Sequence, residues 1–578
     1  MTWNLKALFQ ERLAREQGTI RKDPGGKIQV ALAYPNTYHV GMSNLGFLSL
    51  YRWLNRYPDI VVERVFLPDS GEARLYDQSS APLMSLESQR PVSQFDVLVF
   101  SIAFENDYQN FLTILDLAHI PSQPLKRDPG HPLVLAGGVA TFLNPEPIAS
   151  FLDLVLIGEA EALLDDLADF LREFVTGREN RQDVLEQFSH RPGFYVPSLY
   201  RVTYDEKGFI QEFSPVSGAP PKVVRARAEA SWGEAPQSGI VTPDTEFSGM
   251  ALLEIGRACG RGCRFCAAGY VYRPLRPIQP SKALAAVEKL LEKTPRLGLI
   301  SPGIADIPYI DEMLQFIHEW GGTASLSSVR ADSLSEEMLD TLHKMGQKSL
   351  AIAPEAGSER LRRVINKDLS EDDILEATLK MCRAGLKTIR LYFMIGLPTE
   401  EKADVEAIVE LTKKIRHHLT KNRPPRSAIP FITLSVASFV PKPHTPFQWE
   451  PMERVDTLKR KLSLIRKGIG GIKGARLHFE PPKWSYIQAL LSTGDRRVAA
   501  ILQEAASSGG RWRDALTRTG VNPDFFVHRR REPDEILPWD FIDHGFEKSF
   551  LREEYQRALE GKPTPPCDPG HCKRCGIC

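Results

Sequence analysis

Apolar runs and helical periodicities alternate along most of the chain. IQVALAYP (28–35), VVERVFLP (61–68), DVLVFSI (96–102), PLVLAGG (132–138) and LDLVLIGEAE (152–161) read as strands with their trailing loops, and NLGFLSLYRWLN (44–55) reads as a helix. Val/Leu/Ile runs separated by helices predict a parallel sheet covered on both faces. Ligands of such sheets sit at the carboxyl ends of the strands. Those ends carry Asn36, Thr37 and Gly41, then Phe104 and Glu105, then Gly137, Gly138 and Thr141, then Gly158 and Glu159.

The pattern changes at about residue 176. Residues 193–213 alternate apolar and polar positions around Asp205-Glu206-Lys207-Gly208, a hairpin signal. Residues 216–239 are rich in Pro, Gly and Ala and predict an extended linker. From Gly249 onward strand and helix alternate six times, ending with FITLSVASF (431–439). Such alternation predicts a parallel barrel, or part of one, with its site at the carboxyl ends of the strands.

Strand parity then assigns faces. In TIRLYFMIG, Ile389, Leu391, Phe393 and Ile395 should face the helices, and Arg390, Tyr392, Met394 and Gly396 the interior. In SLAIAPE, Ala351, Ala353 and Glu355 should face inward. An interior carboxylate without a partner costs several kcal/mol. Arg390 is the structural candidate for pairing with Glu355; a ligand is the functional one.

Length allows three or four domains: 578 residues, of which 42% are hydrophobic and 25% charged, as in ordinary globular proteins. Lys+Arg and Asp+Glu are both 73, so no global charge draws the chain to nucleic acid or membrane. The N-terminal stretch is an amphipathic charged helix without the apolar core of a signal peptide, and no apolar run approaches the ~20 residues of a membrane span. Seven of the eight cysteines fall in two tight clusters, which predicts metal ligation in a reducing cytoplasm rather than a disulfide framework.

The chemistry concentrates in Cys259-Gly260-Arg261-Gly262-Cys263-Arg264-Phe265-Cys266. Three thiolates at this spacing can converge on one soft metal centre, one ligand short of the four that close a [4Fe–4S] cluster. A zinc site lacking a ligand is the bland competitor. Cys-x3-Cys-x2-Cys with an aromatic before the last cysteine resembles the motif of the radical S-adenosylmethionine (radical SAM) family. That resemblance implies a [4Fe–4S] cluster whose open iron chelates the methionine end of SAM, in a six-unit open barrel. PEAGSERLRRVINK resembles a family segment whose glutamate and serine contact SAM, which carries over to Glu355 and Ser358. FMIGLPTE resembles a family turn near the adenine, giving Gly396 and Pro398 as further contacts. Phe265 is expected near the adenine, and Arg390 is the candidate for the methionine carboxylate, because guanidinium matches carboxylate in a bidentate fork. Ser358 also stands where it could cap a helix, Arg257, Arg261 and Arg264 could offset an anionic cluster or be solvated loop charges, and Cys382 reads as a buried small side chain.

AGGVATFLNPEPIASFLDLVLIGEAE resembles the cobalamin-binding-like domain that precedes the core in many radical SAM enzymes, on Gly137, Gly138, Thr141, Pro145 and Glu146. The Asp-x-His-x-x-Gly motif that supplies a cobalt ligand is absent, so cobalamin would bind without that histidine, or the domain serves as scaffold. The chain ends in Cys567-x4-Cys572-x2-Cys575-x2-Cys578. Four cysteines in twelve residues are a strong metal signal, for a second Fe–S cluster or a zinc knuckle. Residues 454–476 are locally basic, as are two later stretches, so RNA is a candidate partner against a solvated helix face.

The expectation is an α/β chain with four parts. Residues 1–175 form a Rossmann-like, cobalamin-binding-like domain and 176–247 a hairpin and linker. Residues 248–470 form a partial (β/α)6 radical SAM barrel and 471–578 a C-terminal region with a Cys-rich tail. The expected activity is reductive cleavage of SAM and modification of a substrate the sequence does not identify, by methyl transfer or sulfur insertion, with a flavodoxin or ferredoxin as reductant. The rival is a non-catalytic, metal-stapled nucleic-acid-binding protein.

Overall fold

The computed structural model describes residues 2–577 except 178, 179, 217, 230–233 and 426. The chain forms two compact units, each assembled from separated segments: Met1–Ala251 with Leu490–Phe526 and Asp534–Gly545, and Leu252–Ala489 with Val527–Pro533 and Phe546–Cys578.

In the first unit, β1 (Ile28–Tyr34), β2 (Ile60–Phe66), β3 (Val97–Ser101), β4 (Leu133–Gly137), β5 (Leu154–Leu156) and β6 (Phe194–Tyr195) form one sheet in the order β2-β1-β3-β4-β5-β6. All pairings are parallel except the edge pair β5–β6. The central strands are apolar on both faces because helices cover both, and Val30, Leu32, Leu98, Val134 and Leu154 have no exposed surface. The order reverses between β1 and β3, which creates the crevice where such folds take ligands. The edge strand β2 carries Arg64, fully buried between Glu16 (2.7 Å) and Glu87 (2.6 Å), so the charge is compensated from both sides.

The hairpin is present as β7 (Tyr200–Tyr204) and β8 (Ile210–Pro215), antiparallel. The Asp205 carboxylate accepts from the Lys207 and Phe209 amides across its turn. The expected linker is instead part of the first unit. Val223–Val224 pairs in parallel with Ile542–Asp543, and Val241 bridges Gln17. The four-part division therefore differs from the observed one, because residues far apart in sequence complete the first unit.

The second unit contains β9 (Ala251–Glu254), β10 (Arg296–Ile300), β11 (Thr323–Leu326), β12 (Ser349–Glu355), β13 (Thr388–Ile395), β14 (Phe431–Ser438) and β15 (Ala475–Phe479). They run in chain order as a three-stranded and a four-stranded sheet, joined by a parallel bridge between Val329 and Ile352. The pairings β10–β11, β12–β13, β13–β14 and β14–β15 are parallel. The helices between them are the expected ones, with Ser335 and Ser370 as side-chain caps. Strand parity is as expected: Ile389, Leu391, Phe393 and Ile395 are buried, while Arg390 is exposed and Tyr392 and Met394 are half-buried. A seventh strand, β15, follows the expected six and pairs in parallel with β14. Its ARLHF sequence alternates half-buried and exposed positions and follows a Gly-rich turn, so it carries no apolar run.

Candidate functional site

The cysteine loop leaves the end of β9. Ala258 (φ +67°) and Gly262 (φ +69°) take left-handed backbone conformations, turning the chain twice within five residues. The Gly269 amide then donates to the Cys266 carbonyl (3.1 Å), and the short helix Ala268–Val271 begins. The result brings Cys259, Cys263 and Cys266 to one cavity of about 190 Å³, which Phe265, Glu355 and Lys367 also line. Arg261, Asp306 and Arg330 supply its polar wall. Gly303, after β10, passes so close that a Cβ there would lie 3.5 Å from the Cys259 sulfur.

Burial pushes the Cys266 thiol up to about 12, and the neighbouring sulfurs of Cys263 and Cys259 add to the rise. Cys259 is raised chiefly by burial as well, with repulsion from Cys263 adding to it. Three thiols so placed repel one another as thiolates and are relieved by a cationic centre among them, which is what an iron–sulfur cluster provides. The donor set therefore fits that group. Among the described residues, no three His, Cys, Asp or Glu side chains are gathered at the spacing of a single metal ion.

Glu355 ends β12 at a register shift and holds φ +67°, a conformation that costs a non-glycine residue about 1–3 kcal/mol. Burial raises its pKa, and the Lys367 ammonium at 3.6 Å opposes the rise. The expected Arg390 pairing is thus replaced by Lys367. The helix Glu359–Val364 ends, Asn366 (φ +53°) turns the chain back, and the next residue reaches the carboxylate. Sequence reasoning passed over Lys367, although an asparagine just beyond a helical run is a readable turn signal.

Other expected site residues are elsewhere. Arg390 lies on the exposed side of β13 and is not among the cavity's lining. Ser358 caps its helix, accepting from the Leu361 amide (3.2 Å), and donates to Asp404, which Arg360 also holds. Gly396 (φ +78°) donates to Glu400 (3.0 Å) in a turn braced by Lys461, and Pro398 is buried beside it. None of these three lines the cavity. The three loop arginines are neither solvated nor free. Arg257 pairs with Glu254 (2.7 Å), Arg261 with Asp306, and Arg264 is fully buried against Glu554 and the Val364 and Lys562 carbonyls. Cys382 is buried, as expected of a structural side chain.

At the mouth of the first unit's sheet, Gly138 (φ +112°) abuts β3's exit: a Cβ there would lie 2.4 Å from the Ile102 carbonyl oxygen. Gly137 would meet Leu156. Thr141 is fully buried and donates to the Gly138 carbonyl (2.8 Å). Asn144 donates to the Ser492 and Gly494 carbonyls, and Glu146 pairs with Arg496 (2.7 Å). The close approach of neighbouring backbone to Gly138 accounts for glycine at that turn.

Cys567, Cys572 and Cys575 of the tail line a second, smaller cavity together with Gly262, Tyr270 and Arg273. The Arg574 amide and guanidinium hold the Cys572 thiol below its ordinary value. Cys578 lies outside the described residues. No helix among the described residues is long and apolar enough to cross a membrane.

Two family models match. "Radical SAM proteins, N-terminal" covers residues 46–197, and "Radical SAM superfamily" covers residues 253–412. Uncharacterized protein MJ0966 of Methanocaldococcus jannaschii is 30% identical over 475 residues, spanning 82% of this chain and 90% of that protein. The cobalamin-dependent S-adenosylmethionine radical enzyme OxsB, solved with aqua-cobalamin and S-adenosylmethionine bound, is 13% identical. That match covers 92% of this chain and 79% of OxsB at a TM-score of 0.48. The radical S-adenosylmethionine methyltransferase TsrM of Kitasatospora setae, solved with cobalamin and a [4Fe–4S] cluster, is 13% identical. It covers 85% of this chain and 97% of TsrM at a TM-score of 0.47.

Proposed function

The chain belongs to the radical SAM superfamily, and from that premise we propose that Cys259, Cys263 and Cys266 hold the [4Fe–4S] cluster at which it cleaves SAM, to abstract hydrogen from a substrate not yet identified. The observation that carries this reading is the shared cavity: three thiols of one loop face the same space as a carboxylate and an ammonium. When bound, the cluster supplies the electron that breaks the sulfonium to methionine and a 5′-deoxyadenosyl radical.

The chain's own residues bind and orient. Glu355 accepts hydrogen bonds from the α-amino group of SAM, and Lys367 donates to its carboxylate; the amino acid end of SAM thus meets an acceptor and a donor found together. Phe265 supplies an apolar surface beside the last cysteine and keeps water from the cavity. The strained backbone of Glu355 fixes that carboxylate in place before SAM arrives. Ser358, Gly396 and Pro398 act indirectly, by holding the β12 and β13 exits, and Arg390 is left for the substrate side.

Anaerobic reconstitution with iron, sulfide, reductant and SAM, followed by chromatography for 5′-deoxyadenosine, tests the reading. Cys263→Ala is expected to abolish the product while leaving the protein folded; retained turnover overturns it. The mass of a product formed when the reconstituted protein is added to extracts of a deletion strain reads whether a methyl group or a sulfur atom is added.

A further inference from the structure

The tail cysteines are built onto the SAM-cleaving loop. The Cys567 amide donates to the Gly260 carbonyl at 2.6 Å, one residue from Cys259. Asn366 donates to the Gly262 and Thr564 carbonyls (3.1 and 3.2 Å) and accepts from the Thr564 amide (2.7 Å), so one side chain joins loop and tail. Arg264, with no exposed surface, donates to the Lys562 carbonyl (2.7 Å) and to Thr564 Oγ1 (3.1 Å). Cys567, Cys572 and Cys575 share their cavity with Gly262 of the loop and with Arg273 and Arg574.

We infer that the tail holds a second iron–sulfur cluster, which passes electrons from a protein carrier to the cluster of Cys259, Cys263 and Cys266. Three thiols share one space, Cys578 follows at the spacing of a fourth ligand, and the first three keep a C-x4-C-x2-C ferredoxin-like interval. Two guanidiniums on the same cavity offset the negative charge of a thiolate-ligated cluster. Cys567 and Cys572 are half-buried and Cys575 is buried, and exposed residues 568–571, 573, 574 and 576 surround them on the chain. A docked carrier would meet these exposed tail residues, and the Cys567–Gly260 peptide hydrogen bond is the most direct of the links from tail to loop. The balance is one electron throughout. A carrier of the flavodoxin or ferredoxin class is oxidised, the tail centre is reduced and reoxidised, and the electron ends in the S–C5′ bond of SAM, which breaks; no proton moves.

The relay rests on the reading of the loop given above, and the experiment separates the two. In the full chain carrying Cys259→Ala, Cys263→Ala and Cys266→Ala, anaerobic Mössbauer spectra should still show an iron–sulfur cluster. Zinc in the tail by X-ray absorption, or no cluster there, overturns the proposal, while SAM cleavage by the parent protein would leave the loop reading standing. In Cys572→Ala, SAM cleavage driven by reduced flavodoxin is compared with cleavage driven by dithionite. The flavodoxin-to-dithionite ratio should fall about tenfold or more relative to the parent. An unchanged ratio overturns the relay, and because the ratio cancels general loss of fold, a merely structural staple does not move it.

Discussion

Glu355 and Lys367 illustrate how a single pair can tie ligand recognition to backbone strain. Each charge-assisted bond to SAM is worth about 1.5–3 kcal/mol, so Glu355→Gln and Lys367→Met should each weaken SAM binding by roughly tenfold or more, read by calorimetry on the reconstituted protein. Unchanged dissociation constants remove the pair from the site. Asp107 behaves differently. Burial raises its carboxyl from 3.8 to about 6, and the Asn36 amide, donating at 2.8 Å, only partly opposes that. The folded chain thus favours the protonated form. Stability from this group is present below about 4 and is lost as pH rises through about 6. Asp107→Asn keeps an acceptor for Asn36 without the charge. Its thermal midpoint should exceed the parent's at pH 7 and converge with it near pH 4. Glu355 was legible from strand parity, and Phe265 from its place beside a cysteine. Lys367 was not, because its approach depends on a left-handed turn after a six-residue helix rather than on any strand.

At the level of elements, the parallel sheet of the first unit and the repeated strand–helix alternation of the second were readable, since buried parallel strands show as unbroken apolar runs. β15 was not, because its side chains are only half covered. The loop–tail clasp was equally silent in sequence: an arginine followed by an aromatic gives no hint of partners some three hundred residues away. Its weight is now testable. Removing a buried, hydrogen-bonded charge strands its partners and costs about 3–5 kcal/mol, so Arg264→Met should loosen residues 562–567. The Thr564 and Cys567 amides should exchange with deuterium much faster than in the parent, with the β13 and β14 amides unchanged. Arg264→Lys should rescue this poorly, since an ammonium cannot reach carbonyls in two directions as a planar fork does.

Across the whole chain, neither unit is a continuous stretch of sequence, and this defeated the expected division into four successive parts. Helix Val498–Ser507 packs on helices Tyr108–Leu117 and Glu146–Ala149, and Arg496 ties Glu146 to Tyr195. Contacts between residues roughly 350 positions apart leave no local trace. Arg496→Met strips a carboxylate with 1% exposed side chain of its ion pair and should destabilise the first unit by about 3–5 kcal/mol, lowering its thermal midpoint. The interleaving also bears on synthesis. On the ribosome the nascent first unit must wait, its sheet mouth unsealed, until residues 490–545 have emerged. Prematurely terminated copies would then leave exposed the apolar surface that residues 490–545 cover in the first unit.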